Sequence, residues 1–283
     1  MSVTAVTFNN DGWGREPIGF WSMRLLLISD VHANLEALEE VLNHTNFDEA
    51  LFMGDVVDYG PDPVEVFDLL RYIRARRVLG NHDVAASFNR DCRSSRATHA
   101  ASVTTRKEIT KKLLPSKSLD LLGKAERKLD LEYDGIKLRA MHAAPGVELY
   151  RYVTKEEAAS LEMDGADLLV LGHTHKAYEV KKDGVWVVNA GSVGFPADGD
   201  PRASCAILDT KTRQVTFGRF KYDVDGVISK LRNLVNNDQV VRLLAAWLQT
   251  GGRPTIASNE EEPEENQDEE PEEEPEEKRE QAI

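Results

Sequence analysis

Five times along the chain a short apolar run breaks off into side chains that bind cations. Met23 to Ile28 leads into Ser29-Asp30-Val31-His32. Leu51-Phe52-Met53 leads into Gly54-Asp55-Val56-Val57-Asp58, and Val78-Leu79 into Gly80-Asn81-His82-Asp83. Leu138 to Met141 meets His142, and Leu168 to Leu171 meets Gly172-His173-Thr174-His175. Short apolar runs bounded by glycine read as buried strands. In open α/β sheets, ligands collect outside the carboxyl ends of strands. Any one of these histidines alone reads as structural; their joint recurrence after apolar runs predicts one composite site.

The side-chain chemistry suits cations. Residues two apart in extended chain point the same way, so Asp30 and His32 are expected to reach one ion. His173 and His175 share that spacing. The Asp55 carboxylate can bridge two cations, Asn81 offers a neutral amide oxygen, and His142 adds an imidazole. A nitrogen and oxygen set without thiolate suits manganese, iron, zinc or nickel. It differs from a structural zinc site, which closes with four nitrogen and sulfur ligands. His44 ends a predicted helix and reads as a surface residue. Cys92 and Cys205 match no zinc or redox spacing and read as ordinary thiols of a reducing compartment.

Between these blocks the pattern is strand, helix, strand. Leu35, Leu38, Val41 and Leu42 recur at helical spacing over 34–44, with Asn34 as N-cap. Pro61 and Pro63 open a second helix, and Arg77 to Leu79 start a third strand. Such alternation predicts parallel strands with right-handed crossovers. Residues 84–131 interrupt it as a helical, cap-like insert with eleven basic and five acidic residues, a net +6. That charge could attract anions, and a solvated helical face is the plainer reading. His99 in the insert and Arg202 are candidate substrate contacts. Further on, Thr154 and Glu157 form a capping-box pattern for a helix over 154–163. A hairpin is expected at Lys182-Asp183-Gly184, antiparallel strands over 204–208 and 214–220, and helices over 224–236 and 238–249.

The core of the 283-residue chain is expected over 23–250. Residues 1–22 lack the apolar centre of a secretory signal and read as a disordered extension. A short arm packed through Trp13, Phe20 and Trp21 is the alternative, and Met23 is a possible natural start. Residues 251–283 read as an acidic tail. From Ser258 onward it carries a net −12 of the total −14, so the overall charge does not argue against an anionic substrate. Such a stretch has no apolar periodicity and is expected to be disordered. No run of about 18 apolar residues occurs, so no membrane span is expected; the chain reads as cytoplasmic.

In this order, the five blocks resemble the calcineurin-like metallophosphoesterase superfamily, from Met23 to about Phe220. Asn189-Ala190-Gly191-Ser192-Val193-Gly194, with Asp198-Gly199-Asp200-Pro201-Arg202, is similar to its small prokaryotic phosphodiesterase branch. The resemblance implies an α/β fold of two facing mixed sheets flanked by helices, a four-layer sandwich. It also implies a dinuclear centre holding two divalent ions, manganese first. One ion would fall to Asp30, His32, Asp55 and His175, the other to Asp55, Asn81, His142 and His173. His82 would stand over the scissile phosphate as general acid, oriented by Asp58. Cations about 3.5–4 Å apart would share the attacking hydroxide.

Three departures bear on the substrate. Serine/threonine phosphatases carry arginine after the second aspartate of Gly-Asp-x-x-Asp; here it is Tyr59. The missing guanidinium favours a diester, which carries one charge fewer than a monoester. Ala197 stands where close relatives often have arginine, and the fourth block reads His142-Ala143-Ala144-Pro145. The expected activity is phosphodiester hydrolysis of a small-molecule or nucleotide ester. A monoesterase acting on phosphoproteins or dinucleoside polyphosphates is the alternative, and a non-catalytic scaffold a third reading. Nucleic acid is not favoured, and nothing in the sequence bears on oligomeric state.

Overall fold

The structure, a computed structural model, describes residues 22–144 and 149–255. The expectations for residues 1–21 and for the acidic run from 258 lie outside the described residues. Two five-stranded mixed sheets form the centre. In the first, β1 (Arg24–Ile28), β2 (Glu49–Phe52) and β3 (Arg76–Arg77) are parallel. On the other side of β1 lie β9 (Ala203–Asp209) and β10 (Gln214–Phe220), each antiparallel to its neighbour. The second sheet contains β4 (Lys128–Tyr133), β5 (Ile136–Met141), β6 (Leu168–Leu171), β7 (Ala177–Lys182) and β8 (Val185–Ala190). Its order is β4-β5-β6-β8-β7, with β5, β6 and β8 parallel.

Strand periodicity decides how these layers stack. Leu25, Leu27 and Leu51 turn inward and pack against Leu138, Ala140, Leu168, Val170 and Val188 of the other sheet. The alternate residues Leu26, Ile28, Ala50 and Phe52 pack under α1 (Leu35–His44) and α2 (Pro63–Tyr72). On β6, Leu169 and Leu171 face the other way, onto Val153 and Ala158 around α7 (Lys155–Ala158). Both faces of these strands are apolar, so the fit of their side chains in the two cores, not the apolar pattern, holds their register.

Several boundaries differ from expectation. The third strand is short, Arg76 and Arg77; Val78 still donates its amide to the Phe52 carbonyl at 3.0 Å and on its other side bridges to Glu126, where the insert returns to the sheet edge. The insert is helical through α3 (Asn81–Phe88), α4 (Arg96–Thr105), a π-helical turn (Arg106–Thr110), α5 (Lys111–Leu113) and α6 (Ser116–Gly123). Its last residues are strand β4, not helix. They are drawn there by a two-residue hairpin at Asp134-Gly135, with φ of 48° and 73°, the backbone that a type I′ turn demands. The helix expected over 154–163 stops at Ala158, although its capping box forms: the Glu157 amide donates to Thr154 Oγ1 and the Thr154 amide to Glu157 Oε2. Asp164 and Gly165, both at positive φ, then turn the chain back towards β6.

At the end of the described chain, α8 (Val224–Leu234) and α9 (Asp238–Thr250) pack on Tyr59, Ile109 and Phe195. The chain stays on the domain past residue 250, where the tail was expected to begin: the Gly199 amide donates to the Gly251 carbonyl at 2.8 Å. Among the described residues, no helix is long and apolar enough to cross a membrane. Both cysteines are buried and free.

Candidate metal centre

The five strand ends meet. Asp30, His32 and His175 bring ligand atoms within 4.8 Å of one another, and so do Asp55, His142 and His173. All six are buried. Asp55 joins the two groups, since its Oδ2 lies 3.3 Å from His142 Nε2 and 3.7 Å from His32 Nε2. His32 and His175 face each other at 3.2 Å between Nε2 atoms, and Asn81 Oδ1 is 2.9 Å from His142 Nε2. Every ligand expected from the sequence is therefore present at one place.

The route by which they converge differs from expectation. β1 and β6 stop at Ile28 and Leu171, so Asp30/His32 and His173/His175 do not sit on extended chain. All four are left-handed, with φ of 52°, 49°, 66° and 58°; Ala33, Asp55, Asp58 and Tyr59 are left-handed too. Each such residue costs of order 1–3 kcal/mol and persists where the surroundings over-determine it. His173 and His175 also serve different groups, because the tight turn between them splits their directions.

Each histidine has its tautomer fixed. Nδ1–H donates to a backbone carbonyl from His32 (Val57, 2.8 Å), His142 (Met53, 2.6 Å) and His175 (Phe195, 2.6 Å). His173 instead donates from Nε2 to Tyr150 at 2.9 Å. A carbonyl only accepts, so these bonds turn Nε2 of three rings and Nδ1 of His173 towards the cluster. Asn81 donates its amide to the Cys92 carbonyl at 2.6 Å, which directs Oδ1 inward. The carboxylates follow the same rule. Asp30 Oδ2 accepts from the His173 amide at 3.0 Å, and Asp55 Oδ1 from the His82 amide at 2.9 Å. Asp30 Oδ1 and Asp55 Oδ2 are left buried without a hydrogen bond. Buried carboxylate oxygens without donors are costly, and the imidazole nitrogens turned towards them make a cation the fitting partner.

Charge states agree. Burial pushes His32 and His173 down to about 3, so both are neutral. Burial also acts against protonated His142, but the neighbouring Asp55 carboxylate more than reverses this, to about 9; a bound cation would displace that proton. Burial raises the Asp30 and Asp55 carboxyls, and the facing histidines more than reverse it, holding both well below the usual range.

His82 stands beside this cluster, with a ring nitrogen within 4.8 Å of ligand atoms of His32 and Asp55. Its ring meets His32 edge-on at 4.9 Å, and Nδ1 donates to Asp58 Oδ2 at 2.9 Å. Asp58 is held in turn by Ser102 Oγ (3.0 Å), Thr110 Oγ1 (3.3 Å) and the Arg106 guanidinium. Burial pushes His82 down, and Asp55 and Asp58 carry it back up to about 9. The Ser102, Arg106 and Thr110 contacts were not foreseen. All three come from α4 and the π turn of the insert, so one face of that segment completes the site. π turns cluster at functional sites, and this one directs Arg106 and Thr110 onto the same carboxylate.

Asp83, also given no role from sequence, accepts backbone N–H bonds from Asp55 (3.0 Å), Val56 (2.9 Å) and Gly80 (3.2 Å). It pins the loop after β2 to the start of α3, where Asn81 and His82 sit. The two backbones touch at Gly80, where an added Cβ would lie 2.1 Å from Asp55 Oδ1 and 2.3 Å from Asp55 N. Gly80→Ala is expected to fold with a loss of about 1–3 kcal/mol from overpacking and to lose metal through displaced Asp55. Thermal melting with elemental analysis reads both, and unchanged metal content would contradict this geometry.

The remaining candidates lie elsewhere. His99 Nε2 bonds the exposed Asp91 at 3.0 Å, and Arg202 closes on Asp200 of its own turn. Neither contacts the cluster among the described residues. His44 is exposed, as expected, and stacks on Phe220.

Comparison with known proteins places these features. A model of the calcineurin-like phosphoesterase superfamily domain matches residues 23–213. An uncharacterized protein of Methanocaldococcus jannaschii is 28% identical over 226 residues, covering 73% of this chain and 91% of its own. The crystal structure of a metallophosphoesterase from Sphaerobacter thermophilus is 30% identical, with a TM-score of 0.66 over 81% of this chain and 99% of that one. A symmetrical bis(5'-nucleosyl)-tetraphosphatase of Proteus mirabilis is 41% identical over 71 residues, 22% of this chain and 25% of its own.

Proposed function

The chain belongs to the calcineurin-like phosphoesterase superfamily, and from that membership we propose that it is a metal-dependent phosphodiesterase with two cations in one site. The observation that carries the metal reading is the pair of buried oxygens without hydrogen bonds, Asp30 Oδ1 and Asp55 Oδ2, each facing imidazole nitrogens. Asp30, His32, Asp55 and His175 would hold one divalent ion, and Asp55, Asn81, His142 and His173 the other, manganese first among iron, zinc and nickel. Cations held there supply the Lewis acidity that makes water nucleophilic near neutral pH and offset charge on the phosphate. The protein's own part is positional. The carbonyls of Val57, Met53, Phe195 and Tyr150 aim the imidazoles, and Asp83 locks Asp55 to Asn81. His82, oriented by Asp58, offers Nε2 to the leaving oxygen as general acid.

Diester preference is supported by what surrounds the cluster. Tyr59 is buried among His32, His82, Phe195 and Trp247 and presents a ring where a guanidinium would neutralise a dianion. Arg106 does not replace it, because Asp58 and Ser102 occupy its NH2. A second reading, hydrolysis of dinucleoside polyphosphates, is favoured by the local likeness to the Proteus mirabilis tetraphosphatase. Two buried free thiols support a reducing, cytoplasmic setting.

The test is a matrix of metals and substrates. Protein stripped of metal and reloaded with manganese, nickel, zinc, iron or magnesium is assayed on bis-p-nitrophenyl phosphate, p-nitrophenyl phosphate, cyclic nucleotides and diadenosine tetraphosphate. Loading is expected to raise the thermal midpoint with metal concentration, because only the folded state presents the site. Manganese is expected to support diester turnover. Monoester turnover far above diester turnover would overturn the preference, and no turnover with any metal would leave a binding scaffold.

A further inference from the structure

After α9 the chain turns at Gly251, which has φ 65° and whose Cβ, were there one, would fall 2.4 Å from the Asp200 carbonyl carbon. The turn lays the next residues across the domain and delivers Arg253. Its Cζ lies 5.1 Å from the Tyr152 ring centre and 5.6 Å from the Trp247 ring centre. Tyr152 stacks on His173 (4.2 Å, 19°), and Trp247 stacks on His175 (5.6 Å, 23°). One guanidinium therefore stands a single aromatic ring away from a ligand of each cation group. Its Nε is buried without a hydrogen-bond partner, and among the described residues no carboxylate pairs with it.

Cation–π contacts orient a guanidinium but satisfy none of its N–H groups, and buried donors left unmade are expensive. The missing partner is an acceptor, and beside a phosphoesterase centre that acceptor is anionic. We infer that Arg253 binds a second phosphate of the substrate, next to the one that is cleaved. This rests on the phosphoesterase reading above and narrows it to substrates with at least two linked phosphates. The set-back by one ring decides which phosphate is meant. Oxygens on the reacting phosphorus belong at the bare atoms of the two histidine groups, whereas Arg253 reaches the neighbouring group along the chain. Its planar fork takes two phosphate oxygens at once, and the two ring contacts hold that plane before the ligand arrives.

The test uses the full metal-loaded protein, Arg253→Met and Arg253→Lys, with ADP and AMP as probes in calorimetric titration. Wild type is expected to bind ADP about tenfold more tightly than AMP, as one charge-assisted pair allows. Arg253→Met should collapse that ratio, and the Lys variant should restore part of it. On diadenosine tetraphosphate the Met variant should raise KM more than it lowers kcat, with a smaller effect on bis-p-nitrophenyl phosphate, which has one phosphate. Metal content and thermal midpoint of each variant show that it is folded and loaded. An ADP to AMP ratio unchanged in Arg253→Met overturns the inference even where wild type hydrolyses esters. Failure of wild type to turn over any ester removes the enzymatic reading instead, and the binding ratio still decides the role of Arg253.

Discussion

Asp55→Asn should leave the protein folded with no more than one metal ion per chain and almost no activity. The two oxygens of Asp55 do different work. Oδ1 accepts the His82 amide at 2.9 Å, and Oδ2 faces His142 and His32, one from each cation group. An asparagine keeps one oxygen and gains two N–H donors. If its oxygen stays on the His82 amide, the new NH2 would face His142 and His32, where a cation would need an oxygen. If it flips, the NH2 meets the His82 N–H and neither can accept. Both orientations would remove the carboxylate oxygen that faces both histidine groups, and with a cation would go its Lewis acidity, worth several kcal/mol of charge stabilisation. At about 1.36 kcal/mol per decade, the rate should fall by roughly three powers of ten or more. The fold should survive, because Asp83 holds the backbone of this loop through the Asp55 and Val56 amides, which the substitution keeps. Elemental analysis on the purified variant gives the metal count. Two ions per chain in Asp55→Asn would mean that another residue is the bridge.

The candidate ligands were legible because the end of an apolar run marks each of them in the string. An apolar run sets the strand, glycine or a small residue releases it, and the next polar side chains face the sheet's carboxyl edge. That logic identified the groups without showing how they converge. Asp30, His32, Asp55, His173 and His175 adopt left-handed backbone, and no glycine or asparagine announces it at those positions. The sandwich was implied by the resemblance alone; β1 after Arg24 and β6 are apolar throughout, because their odd and even residues enter different cores, so the string does not say which residue faces which core.

What was missed has a common cause. The insert was read by counting charge, and its net +6 describes the solvent side. Its working side is the polar stripe Thr98, Ser102, Thr105, Arg106 and Thr110, which is buried. Thr105 bonds the Tyr59 amide at 2.9 Å, while Ser102, Arg106 and Thr110 hold Asp58. Spacings of three and four residues are those of one helix face, so the signal was available as a pattern of small hydroxyls. Asp83 was visible too, as an acidic residue at the third position of α3, where such side chains reach back to backbone amides. Arg253 had no local signature, since its setting is made by Tyr152 and Trp247, both far away in the chain.

The insert also bears on how His82, as the proposed acid, would work. His82, Asp58 and Arg106 form a buried line in which the carboxylate lies between two cationic groups. Burial raises the Asp58 carboxyl, and bonds from His82 and Arg106 more than reverse this, so it remains ionised. An ionised Asp58 fixes His82 Nδ1–H and leaves Nε2 as the atom that can give a proton to the substrate.

His82→Ala should therefore keep its metals and lose rate in proportion to the difficulty of the leaving group. No bond from the His82 side chain to the cation ligands is needed to hold them: the two carboxylates are anchored by backbone amides, and the imidazoles by backbone carbonyls. A p-nitrophenolate departs without a proton, whereas a ribose or other alkyl oxygen needs one. General acid catalysis contributes about 10²–10⁴-fold. A loss of that order is expected on an alkyl diester, and a clearly smaller one on bis-p-nitrophenyl phosphate. Asp58→Asn should show the same bias more weakly, because an amide can still accept from Nδ1–H but no longer stabilises a charged ring. Equal losses on both esters would assign His82 a purely electrostatic role on the non-bridging phosphate oxygens. Loss of metal from His82→Ala would place it among the ligands, a placement that its grouping with His32 and Asp55 within 4.8 Å makes the natural competitor.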